Sequence, residues 1–93
     1  MKAEIYTKTM CPYCVSAKKL LTQLNIPYTE YMISVGMGES VPGANQYYVT
    51  RAQLLERAPA AKTVPQIWID GEHVGGFDDL DAAVKAGKYQ IQA

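Results

Sequence analysis

Ninety-three residues make one domain with one core, because a second core of ordinary size needs roughly twice the chain. Nine Lys and Arg balance nine Asp and Glu, so the chain lacks the basic excess that holds nucleic acid or an acidic membrane surface. Apolar residues at 48% and charged residues at 19% match a globular chain and argue against disorder. No apolar run approaches the roughly 18 residues of a membrane span, and Met1-Lys2-Ala3-Glu4 leads into a strand-like segment without a signal sequence, which predicts a cytoplasmic protein. The two cysteines, Cys11 and Cys14, stand too close together to staple a domain across a long loop.

Lys2 to Lys8, with Ile5, Tyr6 and Thr7, reads as a short buried strand. After Cys11, the apolar residues Val15, Leu20, Leu21 and Leu24 recur at helical spacing with Lys18 and Lys19 on another face, which predicts an amphipathic helix ended by Asn25, Ile26 and Pro27. Tyr28 to Ile33 is a second strand, and the resulting βαβ unit requires a right-handed crossover and parallel strands. Residues Val35 to Tyr48 hold three glycines, Pro42, Ser40 and Asn45 without an apolar period and read as a long loop without regular structure. From Thr50, Thr-x-x-Gln is a capping-box pattern opening a short helix through Leu54, Leu55 and Ala58 that stops before Pro59. Val64 to Ile69 is a third strand, joined by the turn pair Asp70-Gly71 to a fourth, antiparallel one at Glu72 to Gly75. The last helix opens at Gly75-Gly76-Phe77-Asp78-Asp79, buries Leu80, Ala83 and Val84, and ends at Gly87. The order βαβ, α, ββ, α predicts an α/β domain, a four-stranded mixed sheet flanked by three helices, as in the thioredoxin-like fold.

Cys11-Pro12-Tyr13-Cys14 at the opening of a helix has a direct chemical meaning. Unpaired N–H groups and the positive end of the macrodipole favour thiolate at the first cysteine, so Cys11 is the expected nucleophile. Cys14, one turn later and more buried, can attack a mixed disulfide on Cys11 and is the expected resolving thiol. Pro12 suits the first turn, where its missing N–H is not needed. A closed zinc site needs four ligands, and the chain offers only His73 beyond the pair, so no metal site is expected within it. Two buried structural cysteines, or a metal or cluster shared between two chains, are the other readings of the same motif.

Four motifs, Tyr6-Thr7-Lys8, Cys11-Pro12-Tyr13-Cys14, Thr63-Val64-Pro65 and Gly75-Gly76-Phe77-Asp78-Asp79-Leu80, together resemble the dithiol glutaredoxin family and span about residues 2 to 84. The resemblance implies a glutathione-dependent thiol–disulfide oxidoreductase that reduces protein disulfides and glutathione mixed disulfides. It also implies sheet order 2-1-3-4, a cis bond before Pro65, and no tightly bound cofactor. Glutathione would be held by Lys8, Tyr13, Thr63, Val64, Pro65, Asp78 and Asp79: Lys8 at its glycine carboxylate, Val64 at its peptide groups, and the helix start with both aspartates at its γ-glutamyl end. The resemblance names disulfide-bonded or glutathionylated proteins as partners, ribonucleotide reductase among them; the balanced charge predicts neither nucleic-acid nor membrane partners, and nothing in the sequence demands more than a monomer. Arg51 stays outside the site because the segment before it blurs the alignment.

Phe77 occupies a position often small or cysteine in the family, which predicts a bulkier groove wall. A loop insertion at about residues 35–49, holding Met37, Pro42, Tyr47 and Tyr48, lengthens the link to the second helix within one domain over residues 1–93. Tyr28, Tyr31, Trp68 and Tyr89 are expected in core packing, since a base-stacking platform needs a basic groove beside it. Two alternatives remain: a redoxin reduced directly by thioredoxin reductase, and a module holding a [2Fe–2S] cluster between two Cys11 residues with glutathione.

Overall fold

A computed structural model of the protein describes residues 1–33 and 42–92. The chain runs β1 (Ala3–Thr7), α1 (Pro12–Gln23), β2 (Tyr28–Ile33), β3 (Gln46–Val49), α2 (Arg51–Arg57), β4 (Gln66–Ile69), β5 (Glu72–Gly75) and α3 (Phe77–Lys85). The sheet order is β3-β2-β1-β4-β5, with β1 parallel to β2, β2 parallel to β3, and the remaining pairs antiparallel. The expected four strands are present in the expected order, and a fifth, β3, extends the sheet on the β2 side. It falls within the segment read as lacking regular structure, so that expectation is corrected at residues 46–49, while residues 35–41 lie outside the described residues.

The reason lies in pairing that no local pattern reveals. Glu30 through Ile33 present a free edge to Gln46 through Val49 in parallel register, and Tyr31 stacks on Tyr47 with ring centroids 6.0 Å apart. Four residues this close to glycine and proline form a strand because an aromatic partner and a backbone ladder are already in place.

Alternation along β1 divides the core. Ala3 and Ile5 join a cluster with Ala17, Leu21, Leu24, Ile26, Ile67, Ile69, Leu80 and Tyr89 beneath α1 and α3, whereas Tyr6 joins Leu54, Ala58 and Trp68 beneath α2. Leu21 and Leu80 are wholly buried, each contributing about 1.5–3 kcal/mol of burial free energy. The face of α1 that does this is Cys14, Ala17 and Leu21, continued by Leu24; Val15, expected on that face, is exposed. Cys14, Ala17, Leu21 and Leu24 follow a sequential 3–4 spacing that Val15 does not join, and packing of α1 on the sheet selects this set, with Cys14 and the small Ala17. Trp68 and Tyr89 are buried and Tyr28 and Tyr31 half-buried, in line with core packing.

Local signals act where expected. Thr50 Oγ1 accepts from the Gln53 N–H at 3.1 Å while Gln53 Oε1 accepts from the Thr50 N–H at 2.8 Å, closing the capping box of α2. Asp70 and Gly71, at φ 51° and 82°, supply the two positive dihedrals of a tight hairpin turn. The Asp70 N–H and carboxylate also tie the turn to Lys2.

Candidate active site

The two cysteines lie where β1 hands over to α1, and they are joined as a disulfide. Cys11 is the N-cap of α1, its Sγ accepting from the Cys14 N–H at 3.2 Å, and Pro12 takes the first helical position. The same backbone donor, together with the helix end, favours negative charge on Cys11 once the disulfide is opened. Cys14 is the more buried of the two, at 2% exposure against 8%. Desolvation therefore weighs more against a thiolate at Cys14.

Cys11 stands between two grooves. The first, of about 810 Å³, is lined by Tyr13, Thr63, Val64, Pro65, Asp78 and Asp79 together with Phe77, His73 and the stretch from Arg57 to Lys62. Six of the nine residues expected at the site meet there. Cys11 Sγ approaches it at Val64, whose carbonyl oxygen is 3.8 Å away, and the Val64–Pro65 bond is cis. Tyr13 and Phe77 form the outer lip, ring centroids 6.2 Å apart, so the bulk expected at Phe77 does border the groove.

At the far end, α3 opens with Gly76 as its N-cap, and Asp79 Oδ2 accepts the Gly76 N–H at 3.0 Å. Asp79 thus caps the helix as well as lining the groove. Gly75 makes this arrangement possible: its φ is 116°, and a Cβ there would lie 2.8 Å from Asp79 Cγ. His73 reaches the groove from β5, fixed by Gln66 Oε1 at 2.8 Å and stacked on Trp68.

The second groove, of about 530 Å³, is lined by Lys8, Cys11 and Cys14 with Lys18, Glu30 and residues of β3. Lys8 therefore does not share the first groove with the other expected glutathione contacts; it stands across Cys11 from them. Sequence reasoning missed Glu30. This carboxylate is 4% exposed and accepts from Thr7 Oγ1 at 2.7 Å, Lys18 Nζ at 3.0 Å and Gln46 Nε2 at 2.8 Å. Burial raises its pKa, and the bonds from Thr7, Gln46 and Lys18, with the Lys18 charge, outweigh that and hold it below the ordinary carboxylate value. The available signal was one acidic residue in the otherwise uncharged run Tyr-Thr-Glu-Tyr-Met-Ile. Among the described residues, no three His, Cys, Asp or Glu side chains gather in a way that could hold a metal ion, and no helix is long and apolar enough to cross a membrane.

Such an arrangement, a helix-capping dithiol beside a peptide-sized groove, suits thiol–disulfide exchange. Comparison with known proteins agrees. The glutaredoxin family model matches residues 3–74. A glutaredoxin of Pseudomonas aeruginosa is 43% identical over 84 residues, covering 90% of this chain and 86% of that protein. Glutaredoxin 3 of Escherichia coli is 39% identical over 79 residues, covering 85% and 81%. Among solved structures, glutaredoxin 1 of Francisella tularensis complexed with cacodylate superposes with a TM-score of 0.67 at 33% identity, covering 94% of this chain and 95% of that one. A buckwheat glutaredoxin–glutathione complex gives 0.67 at 31% identity, covering 94% and 71%. With its Cys11–Cys14 pair and its thioredoxin-like sheet, the chain belongs to the glutaredoxin family of thiol–disulfide oxidoreductases.

Proposed function

We propose that this single-domain protein uses glutathione as its reductant, with Cys11 as nucleophile and Cys14 as resolving thiol. The observation that carries the reading is the position of Cys11 Sγ, 3.8 Å from the Val64 carbonyl oxygen at the edge of a groove ending in the first turn of α3. In it, the peptide groups of the cysteinyl residue of glutathione pair with Val64, beside Thr63 and Pro65, which sets its sulfur against Cys11. The γ-glutamyl carboxylate meets the first N–H groups of α3, and its ammonium meets Asp79 with Asp78 beside it. Tyr13 covers the tripeptide, and Lys8, across Cys11, receives the glycine carboxylate.

The Cys11 thiolate attacks the glutathionyl sulfur of a mixed disulfide, forming Cys11–S–S–glutathione and releasing the substrate as thiolate. A second glutathione thiolate attacks the same glutathionyl sulfur, giving glutathione disulfide and restoring Cys11. With a protein disulfide, Cys11 forms a mixed disulfide with one protein sulfur, Cys14 displaces it, and glutathione reduces the resulting Cys11–Cys14 bond. The substrates are glutathionylated or disulfide-bonded cytoplasmic proteins, with ribonucleotide reductase as one instance, and the protein works as a monomer.

The test is turnover of a small glutathione mixed disulfide, coupled to NADPH through glutathione reductase, in wild type, Cys11→Ser and Cys14→Ser. Turnover is lost with Cys11→Ser and retained with Cys14→Ser, while reduction of a protein disulfide is lost in both. A folded wild type without turnover refutes glutathione dependence, and loss of both activities in Cys14→Ser refutes the division of roles.

A further inference from the structure

Among the described residues, thiol–disulfide exchange as described leaves one buried carboxylate without a part. Glu30 keeps its charge in a 4% exposed position through Thr7, Lys18 and Gln46, and its cation, Lys18, stands on α1 one helical turn after Cys14. All of these side chains line the same groove as the dithiol. We infer that the Lys18–Glu30 pair is a positioning device that sets how readily Cys14 gives up its proton, and hence how fast Cys14 resolves a mixed disulfide on Cys11. The inference rests on the assignment of Cys14 as the resolving thiol.

Cys14 is almost fully buried, so its thiolate gains little from water and responds to nearby fixed charge. A lone ammonium at Lys18 stabilises that thiolate; a lone carboxylate at Glu30 opposes it. Joined at 3.0 Å, they present the thiol with a pair of no net charge. Gln46 holds the second carboxylate oxygen, and it comes from β3, the strand formed by the inserted segment. The insertion thereby gains a chemical role: it seats the carboxylate end of the pair. When Cys14 acts, its S–H proton passes to water in the open groove. Its thiolate bonds to Cys11 Sγ, and the Cys11–substrate S–S bond breaks to release the substrate thiolate, so the Cys14 sulfur is oxidised, the substrate sulfur is reduced and Cys11 stays at the disulfide level.

Among the described residues, the remaining ionisable groups near Cys14 are few. Lys8, after β1, Cys11, and Tyr48 on β3 line the same groove, while on α3 Asp78 and Asp79 line the other groove and Asp81 pairs with Lys85 at 2.9 Å.

The experiment uses the full chain carrying Cys11→Ser, in which Cys14 is the one thiol, and follows the ultraviolet absorbance of its thiolate against pH, with the Cys11→Ser, Cys14→Ser chain as blank. Adding Glu30→Gln moves the Cys14 midpoint down by about half a unit, roughly threefold more thiolate below the midpoint, and Lys18→Met moves it up by a similar amount. Both together return it close to the parent. A purely structural role shifts the two single variants in one direction or neither, and either result overturns the inference, as does a double variant that fails to cancel. Should Glu30→Gln not fold, Lys18→Met decides alone, because its side chain is 28% exposed: an unchanged or lowered midpoint overturns the inference. Glutathione takes no part in this titration, so its outcome is separable from that of the turnover assay.

Discussion

Replacing Gly75 with Ala tests the coupling between the β5–α3 corner and the groove proposed to hold glutathione. Gly75 holds φ 116°, outside the range that an L side chain adopts readily, and forcing alanine into such a conformation costs about 1–3 kcal/mol. The new Cβ would also lie 2.8 Å from Asp79 Cγ and 3.1 Å from Asp79 Cβ, so the carboxylate must swing away. It then gives up its 3.0 Å bond to the Gly76 N–H, a cap interaction of about 1 kcal/mol. Together these amount to about 2–4 kcal/mol. At about 3 kcal/mol, Tm falls by about 12–24 °C for a chain of this size. Because Asp79 leaves the groove wall, KM for glutathione rises at temperatures where the variant is still folded. The assays are a urea or thermal melt followed by circular dichroism, and the coupled turnover assay on the folded protein. A variant with wild-type Tm and wild-type KM refutes both the strain argument and the placement of Asp79; a lowered Tm with unchanged KM refutes the placement alone.

Three further outcomes follow from the same geometry. Leu21→Ala empties a wholly buried site between α1 and the sheet and lowers stability by about 2–5 kcal/mol, read as a lower urea midpoint; a loss below about 1 kcal/mol contradicts the packing. Because Glu30 titrates lower in the folded chain than its ordinary value of 4.5, its contribution is complete above that value and is lost as pH falls through the folded value. Glu30→Gln therefore lowers stability near neutral pH and flattens the acid limb of the urea midpoint against pH, and an acid limb as steep as in wild type contradicts the sign. Arg57 grips Glu4 with both Nη atoms at 3.1 and 3.2 Å and lies 4.2 Å over Trp68, so Arg57→Lys, which keeps the charge but loses fork and stacking, costs about 1 kcal/mol at these half-exposed side chains. A loss that disappears entirely in high salt would assign the effect to charge rather than to stacking.

Interactions that close within a few residues were legible from the chain alone. Cys11 capping α1 through the Cys14 N–H, the Thr50–Gln53 box, the Asp70–Gly71 turn and the Asp79 cap on Gly76 each join residues one to three positions apart, and each has a residue-type signature. The dithiol belongs to this class, which is why the chemistry was readable before the fold. The parallel β1–β2 pair and the antiparallel β4–β5 hairpin followed from connection rules, while the order that sets them side by side came from the family resemblance.

The rest needed the sheet. Glu30 meets Thr7, Lys18 and Gln46 over 23, 12 and 16 residues, and nothing in its local run distinguishes a buried, triply bonded carboxylate from a solvated one. The strand at Gln46–Val49 exists because β2 offers an edge and Tyr31 offers a ring, both fixed only once β2 is seated. Tertiary packing also chose Cys14, Ala17 and Leu21 over Val15 for the buried face of α1, and it set Lys8 and Asp79 in different grooves on either side of Cys11. Sequence by itself determined the reactive pair and the elements that carry it, because those depend on local backbone donors and caps. Only the folded chain decided which charges surround the pair, because partners distant in sequence are brought together by the sheet and not by any local preference.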